Sequence, residues 1–181
     1  GDLVAREATL ALLERHPDDA VVKHSLAIAG EATPELAAAI IAMLGRRGAS
    51  AARPYIEAQL RAEDATLRKA AYEALPGVAP ADCTALLAAA MATAPKGDLP
   101  AIRAVLIQQS NEDFAAWIAA AIGAATPDGK AALMELLALR RAVAQRRAIF
   151  AQLDDGDSGV RRAAWKSLAN LAQAADCEEI I

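Results

Sequence analysis

The chain has 181 residues, 55 % of them hydrophobic but only 3 % aromatic, with a formal net charge of −4. That length suits one substantial core or a stack of small units, and the acid excess argues against a general nucleic-acid binder. The longest apolar segments, 84–94 and 114–125, fall short of the roughly 18 residues that mark a membrane-spanning helix. No signal-peptide pattern stands at the N-terminus, and since the first residue is Gly1 rather than Met this leaves the compartment open.

In chain order, the sequence predicts pairs of helices. A first helix over 2–13 ends at "RHPDD" (Arg15–Asp19), and a second carries Val21, His24, Ser25 and Ile28 on its buried side. Thr33 caps the next helix, with Pro34 in its first turn, and "GRRGAS" (Gly45–Ser50) separates it from a helix with Tyr55, Ile56, Gln59 and Leu60 inward. Asp64 opens "DATLRKAAYEAL", which ends at "PGVAPAD" (Pro76–Asp82), and Leu86, Leu87 and Met91 mark the following helix. Pro95 is an irregular start, so that helix begins late, at Asp98 with Pro100; after "QSNED" (Gln109–Asp113) come Phe114, Trp117, Ile118 and Ile122. Thr126 with Pro127 starts the fifth pair, whose second helix buries Ala148, Ile149 and Leu153, and Asp157 starts the sixth with "DSGVRRAAWKSL".

These starts are 31 residues apart: Asp2, Thr33, Asp64, Pro95, Thr126 and Asp157. Six residues on from each stands alanine (Ala8, Ala39, Ala70, Ala101, Ala132, Ala163), and eleven on stands leucine (Leu13, Leu44, Leu75, Leu106, Leu137, Leu168). Twenty-five on from the first five stands alanine again (Ala27, Ala58, Ala89, Ala120, Ala151), and both alanine positions are expected to let paired helices approach closely. A single helical pair cannot bury its own apolar faces, whereas stacked neighbours can. The expected fold is therefore all-α, a single repeat domain over 1–181 of about six helix-turn-helix units, the last incomplete. Three stacking steps of about 10 Å would separate Cys83 from Cys177 by about 30 Å, against a disulfide limit near 7 Å, so both are expected to be free thiols.

The pattern Asp-x-x-Val-Arg-x-Ala-Ala-x-x-Leu in 157–168, matched closely in 64–75 and fairly in 2–13 with Arg6, resembles the HEAT and HEAT-like repeat family. The resemblance runs through essentially the whole chain. The units at Thr33, Pro95 and Thr126 lack the cap Asp, and those at Thr33 and Pro95 also lack the Arg. It implies a right-handed α-solenoid, an armadillo- or HEAT-like superhelix, with second helices lining the concave surface. It also implies that Asp2, Arg6, Asp64, Arg68, Asp157 and Arg161 form a structural ladder between repeats.

Nothing in the sequence reads as catalytic, cofactor-binding or metal-ligating. His16 and His24 have no converging ligands, no Cys-x-x-Cys or Gly-x-Gly-x-x-Gly occurs, and the carboxylate pairs sit at helix ends and turns. Tyr72 and Trp165 share a position that is read as packing. Charge on the second helices is uneven. Arg46, Arg47, Arg53 and Arg61 cluster in the second unit and Arg140, Arg141, Arg146 and Arg147 in the fifth. Between them, Ala85, Ala88, Ala92, Ala115, Ala116 and Ala119 are expected to form an exposed apolar floor. The candidate partner-binding residues are accordingly Arg53, Arg61, Ala85, Ala88, Ala115, Ala119, Arg140, Arg141, Arg146 and Arg147, facing an acidic or amphipathic protein or peptide. The expected function is a non-enzymatic interaction scaffold. The alternatives are a HEAT-like lyase or tetrapyrrole-binding protein, a nucleic-acid-binding HEAT protein, and a structural spacer. Because the sequence stops within the second helix of the sixth unit, the chain is expected to be part of a longer protein or to pair through its ends.

Overall fold

The computed structural model describes residues 3–16 and 18–171, and among these there are helices and turns but no strand. The α-helices are α1 (Leu3–Arg15), α2 (Ala20–Glu31), α3 (Pro34–Arg47), α4 (Arg53–Gln59), α5 (Ala65–Val78), α6 (Cys83–Thr93), α7 (Leu99–Gln108), α8 (Phe114–Ile122), α9 (Pro127–Leu139), α10 (Arg146–Phe150) and α11 (Ser158–Leu168). Short 3-10 turns at Ser50–Ala52, Lys96–Asp98 and Val143–Gln145 lead into α4, α7 and α10. Helices α1, α3, α5, α9 and α11 start at Leu3, Pro34, Ala65, Pro127 and Ser158, on a 31-residue grid whose remaining point, Lys96, opens the 3-10 turn before α7. The late start at Pro95 is a 3-10 turn followed by α7 with Pro100 in its first turn.

The chain divides into two compact units, Gly1–Cys83 and Thr84–Ile181. In the first, α3 packs on α1, α2 and α5, and α4 packs on α5. In the second, α9 packs on α7, α8 and α11, while α10 packs on α11 and α8. Within each unit, then, first helices of successive pairs lie against one another. The ranked leucines are what they bury: Leu44, Leu75, Leu106, Leu137 and Leu168 are in the core, and Leu13 is half-buried. Each buried leucine contributes about 1.5–3 kcal/mol from water release.

The acidic caps act locally. Asp64 accepts from the backbone N–H groups of Thr66 and Leu67 at 2.7 and 3.2 Å, and Asp157 accepts from those of Gly159 and Val160 at 2.8 and 3.0 Å. Those amides are the otherwise unpaired donors of a helix start, and such a cap is worth about 1 kcal/mol. The two backbone amides hold the Asp64 carboxyl below its usual range. Arg68 donates to the carbonyls of Ala62 and Glu63, and Arg161 to those of Asp155 and Gly156. These four residues thus fasten the turn that precedes their own helix. Asp2 and the side chain of Arg6 lie outside the described residues.

Two other arginines carry the link between successive first helices. Arg47 Nη1 donates to the carbonyls of Leu13 and Glu14 at 3.1 and 3.4 Å and to that of His16, and its Nη2 reaches the Asp18 carbonyl at 3.0 Å. Arg140, 93 residues later, donates to the carbonyls of Leu106 and Ile107 at 3.4 and 2.7 Å and to that of Gln109. In both units a guanidinium donates to carbonyls at the C-terminal end of the preceding first helix and suits its negative end.

Several expectations need correction. Ala27, Ala58, Ala89, Ala120 and Ala151 are all exposed, so they are not the close-approach residues. Glycine takes that role between α3 and α5: a Cβ on Gly45 would stand 2.7 Å from Ala74 Cα, and one on Gly77 would run into the Gly45 carbonyl. His24, Ile28 and Trp117 are exposed, not inward. Tyr72 is buried as expected, while Trp165, at the same repeat position, is exposed. Helix α5 continues through Pro76 to Val78. Cys83 is a free, buried thiol whose pKa burial pushes up to about 11, and Cys177 lies outside the described residues.

Candidate functional site

The predicted arginines divide into tethered and open groups. In the first unit Arg53 pairs with Glu57 at 2.5 Å and Asp82 at 2.7 Å, which raises its already high pKa, whereas Arg61 is exposed. In the second unit Arg140 lies over the Phe114 ring, 4.6 Å from its centroid, besides holding the carbonyls of the α7 end. Arg146 donates to the Val143 carbonyl at 3.0 Å and is half-buried, while Arg141 and Arg147 are exposed. The open apolar floor is not there. Ala88 and Ala92 are buried, Ala85, Ala115 and Ala119 are half-buried, and Ala116 alone of the six is exposed. The cause is that α6 and α8 are apolar almost all round, so their sequence pattern does not choose a face.

The open surface of the second unit lies instead between first helices. A groove of about 490 Å³ between α7 and α9 is lined by Leu99, Ala104 and Ile107 on one side and Ala131 and Ala132 on the other. Ion pairs cross it, Lys96 to Asp128 at 3.1 Å and Arg103 to Glu135 at 3.4 Å. Beyond Glu135 a cleft of about 680 Å³ opens at the C-terminal ends of α9 and α11. Its walls include Leu139, Val143, Arg103, Arg141, Lys166 and Ser167. Glu135 is shared by both depressions, meeting Lys166 at 3.9 Å as well as Arg103.

Arg141 has φ 51°, which no other non-glycine among the described residues matches in sign. It occupies the left-handed position that ends α9, where its N–H donates to the Ala138 carbonyl at 3.1 Å and that of Ala142 to Leu137 at 3.0 Å. The equivalent residue of α3 is Gly48, φ 69°, with the same two bonds to Gly45 and Leu44. Glycine is the residue that backbone favours.

Sequence reading found Arg141 but missed Arg103, Glu135, Lys166 and Ser167. The signal was available by stepping 93 residues. Ala138, Ser167 and Asn170 stand where the first unit has Gly45, Ala74 and Gly77.

Among the described residues no three His, Cys, Asp or Glu side chains are grouped to hold a metal ion, and no helix is long and apolar enough to cross a membrane. No family model matches the chain, and neither a curated protein nor a solved structure matches it.

Proposed function

We propose that this chain is a non-enzymatic interaction scaffold, a right-handed α-solenoid of about six helix-turn-helix units in the HEAT-like manner, that binds a protein or peptide partner. The 31-residue spacing of helix starts and the packing of first helix on first helix within each unit support the architecture. Such stacking produces long shallow grooves, and extended partners fit them without any special constellation of residues.

The observation that carries the functional reading concerns the tryptophans. Both of the chain's tryptophans stand half in solvent, Trp117 at 47 % and Trp165 at 49 % exposure. Tryptophan is the costliest residue to leave wet and the one most enriched where binding energy concentrates. Both lie outside a core that does bury the aromatic side chains of Tyr72 and Phe114.

The test compares the wild type with a Trp117→Gln, Trp165→Gln double variant whose helicity and melting temperature are matched. With the chain immobilised, proteins retained from its source should fall at least tenfold on the double variant. An unchanged set and yield of retained proteins would refute the reading.

A further inference from the structure

We infer that the cleft at the C-terminal ends of α9 and α11 receives a carboxylate side chain from an acidic, partly apolar peptide. The inference rests on the scaffold reading and names the ligand chemistry of one of its surfaces.

The cleft exists because three positions carry larger side chains than their counterparts in the first unit. Between α3 and α5 the backbones approach so closely that Gly45 and Gly77 have no space for a Cβ. The same repeat positions hold Ala138 in α9 and Asn170 just past the end of α11, and the residue equivalent to Ala74, opposite Gly45, is Ser167. With side chains at those two positions the helices cannot adopt the α3–α5 approach, and space remains at this end.

The walls favour a negative group. Among the described residues, Arg103, Arg141 and Lys166 line the cleft against one carboxylate, that of Glu135. Three cations against one anion outweigh the partial negative charge of two helix ends, and they stand out in a chain of net charge −4. Glu135 holds Arg103 at 3.4 Å and Lys166 at 3.9 Å, at and beyond the outer limit of a good hydrogen bond. Both cations therefore keep donors for a better-placed acceptor, and arginine presents its donors as a fork that matches a carboxylate.

Two local irregularities coincide there. The Ser167 hydroxyl is buried without a hydrogen-bond partner, in a residue that is 2 % exposed. A buried donor in that state is costly until an acceptor arrives. Arg141 occupies a backbone conformation that favours glycine. The apolar side of the cleft, Leu139 at 52 % exposure with Val143, selects a peptide with a hydrophobic residue beside the acid rather than a bare anion.

The experiment titrates the nitrogen-15-labelled 181-residue chain with acetyl-Leu-Glu-Glu-Leu-amide and follows backbone amide shifts. Acetyl-Leu-Lys-Lys-Leu-amide and inorganic phosphate are the controls. The glutamate peptide should give saturable shifts at Leu139, Arg141, Ser167 and Asn170. Its affinity should fall at least tenfold in Lys166→Glu and severalfold in Arg141→Gly, each compared with the wild type at matched helicity. Equal shifts from the lysine peptide, or undiminished affinity in Lys166→Glu, would overturn the proposal. Phosphate alone reproducing the peptide's shifts at similar affinity would also overturn it, leaving a simple oxyanion site. Shifts confined to Arg61 or Arg147 would remove the cleft and leave the scaffold reading standing, whereas a loss of partner capture in the tryptophan variant together with cleft shifts supports both.

Discussion

Replacing Arg141 by glycine should stabilise the protein, although it deletes a charged side chain from a loop. A left-handed backbone costs an ordinary residue about 1–2 kcal/mol, and the extra freedom of glycine in the unfolded chain takes back about 0.5–1 kcal/mol. The net gain expected for Arg141→Gly is about 0.5–1 kcal/mol, or about 1–4 °C in melting temperature for a chain of this size. The bonds that close the helix end involve only backbone: Arg141 N–H to Ala138 and Ala142 N–H to Leu137 survive the change. Gly48 supplies the mirror test. A Cβ there would meet nothing nearer than the Gly77 carbonyl at 3.6 Å, so Gly48→Ala should lose about 1 kcal/mol through backbone strain alone. Thermal melts by circular dichroism and urea midpoints read both. If Arg141→Gly lowers stability as Gly48→Ala does, the arginine side chain outweighs its strain and the reasoning fails. A rise in stability joined to weaker binding of the glutamate peptide would place that strain at a binding site.

Leu75→Ala and Leu106→Ala should each cost about 2–5 kcal/mol in urea unfolding, because both are fully buried, while Ala58→Ser and Ala120→Ser on the exposed face should stay within about 0.5 kcal/mol. Equal effects would mean that the two repeated positions are not on opposite faces. Gly77→Ala should destabilise by about 1–3 kcal/mol because its Cβ collides with the Gly45 carbonyl, whereas Gly123→Ala, with open space around it, should be neutral or slightly stabilising; the reverse order would refute the close approach of α3 and α5. The Lys130 ammonium, 2.5 Å from Asp155, is the largest cause holding that carboxyl below its usual range, followed by the Asp157 backbone N–H. Its folded pKa lies below its unfolded value near 3.9, so its stabilising contribution is complete above about pH 4 and is lost as pH falls through the folded value. The melting temperature of Asp155→Asn should therefore decline less between pH 5 and pH 2.5 than that of the wild type, and parallel declines would contradict the assignment.

The positions legible in the sequence were those where local chemistry and packing agree. Asp64 and Asp157 cap because a short acceptor before a helix has one good use, and five of the six leucines at eleven residues from each start, Leu44 to Leu168, are buried because a large aliphatic group on a helix of mixed character marks its inner face. Alanine carries no such mark. Its recurrence at Ala27, Ala58, Ala89, Ala120 and Ala151 reflects a good helix former on a wet face, since alanine loses little by exposure. Trp117 was misplaced for a related reason: "FAAWIAAAI" is apolar throughout, and hydrophobicity alone does not choose its inner face. Arg140 reads as a surface charge in sequence, yet its reach is to carbonyls of the previous first helix 31 to 34 residues back. The cleft depends on Ala138, Ser167 and Asn170 jointly differing from Gly45, Ala74 and Gly77, a comparison between helices that no single segment contains.

The central claim is that first helices of successive 31-residue pairs lie directly against one another. Methyl-to-methyl nuclear Overhauser effects test it most directly in the second unit. Leu133 and Leu137 of α9 should show effects to Val160, Ala164 and Leu168 of α11, all of which are buried along with them. Effects from the α9 methyls confined to α8 and α10, with none to α11, would contradict the arrangement.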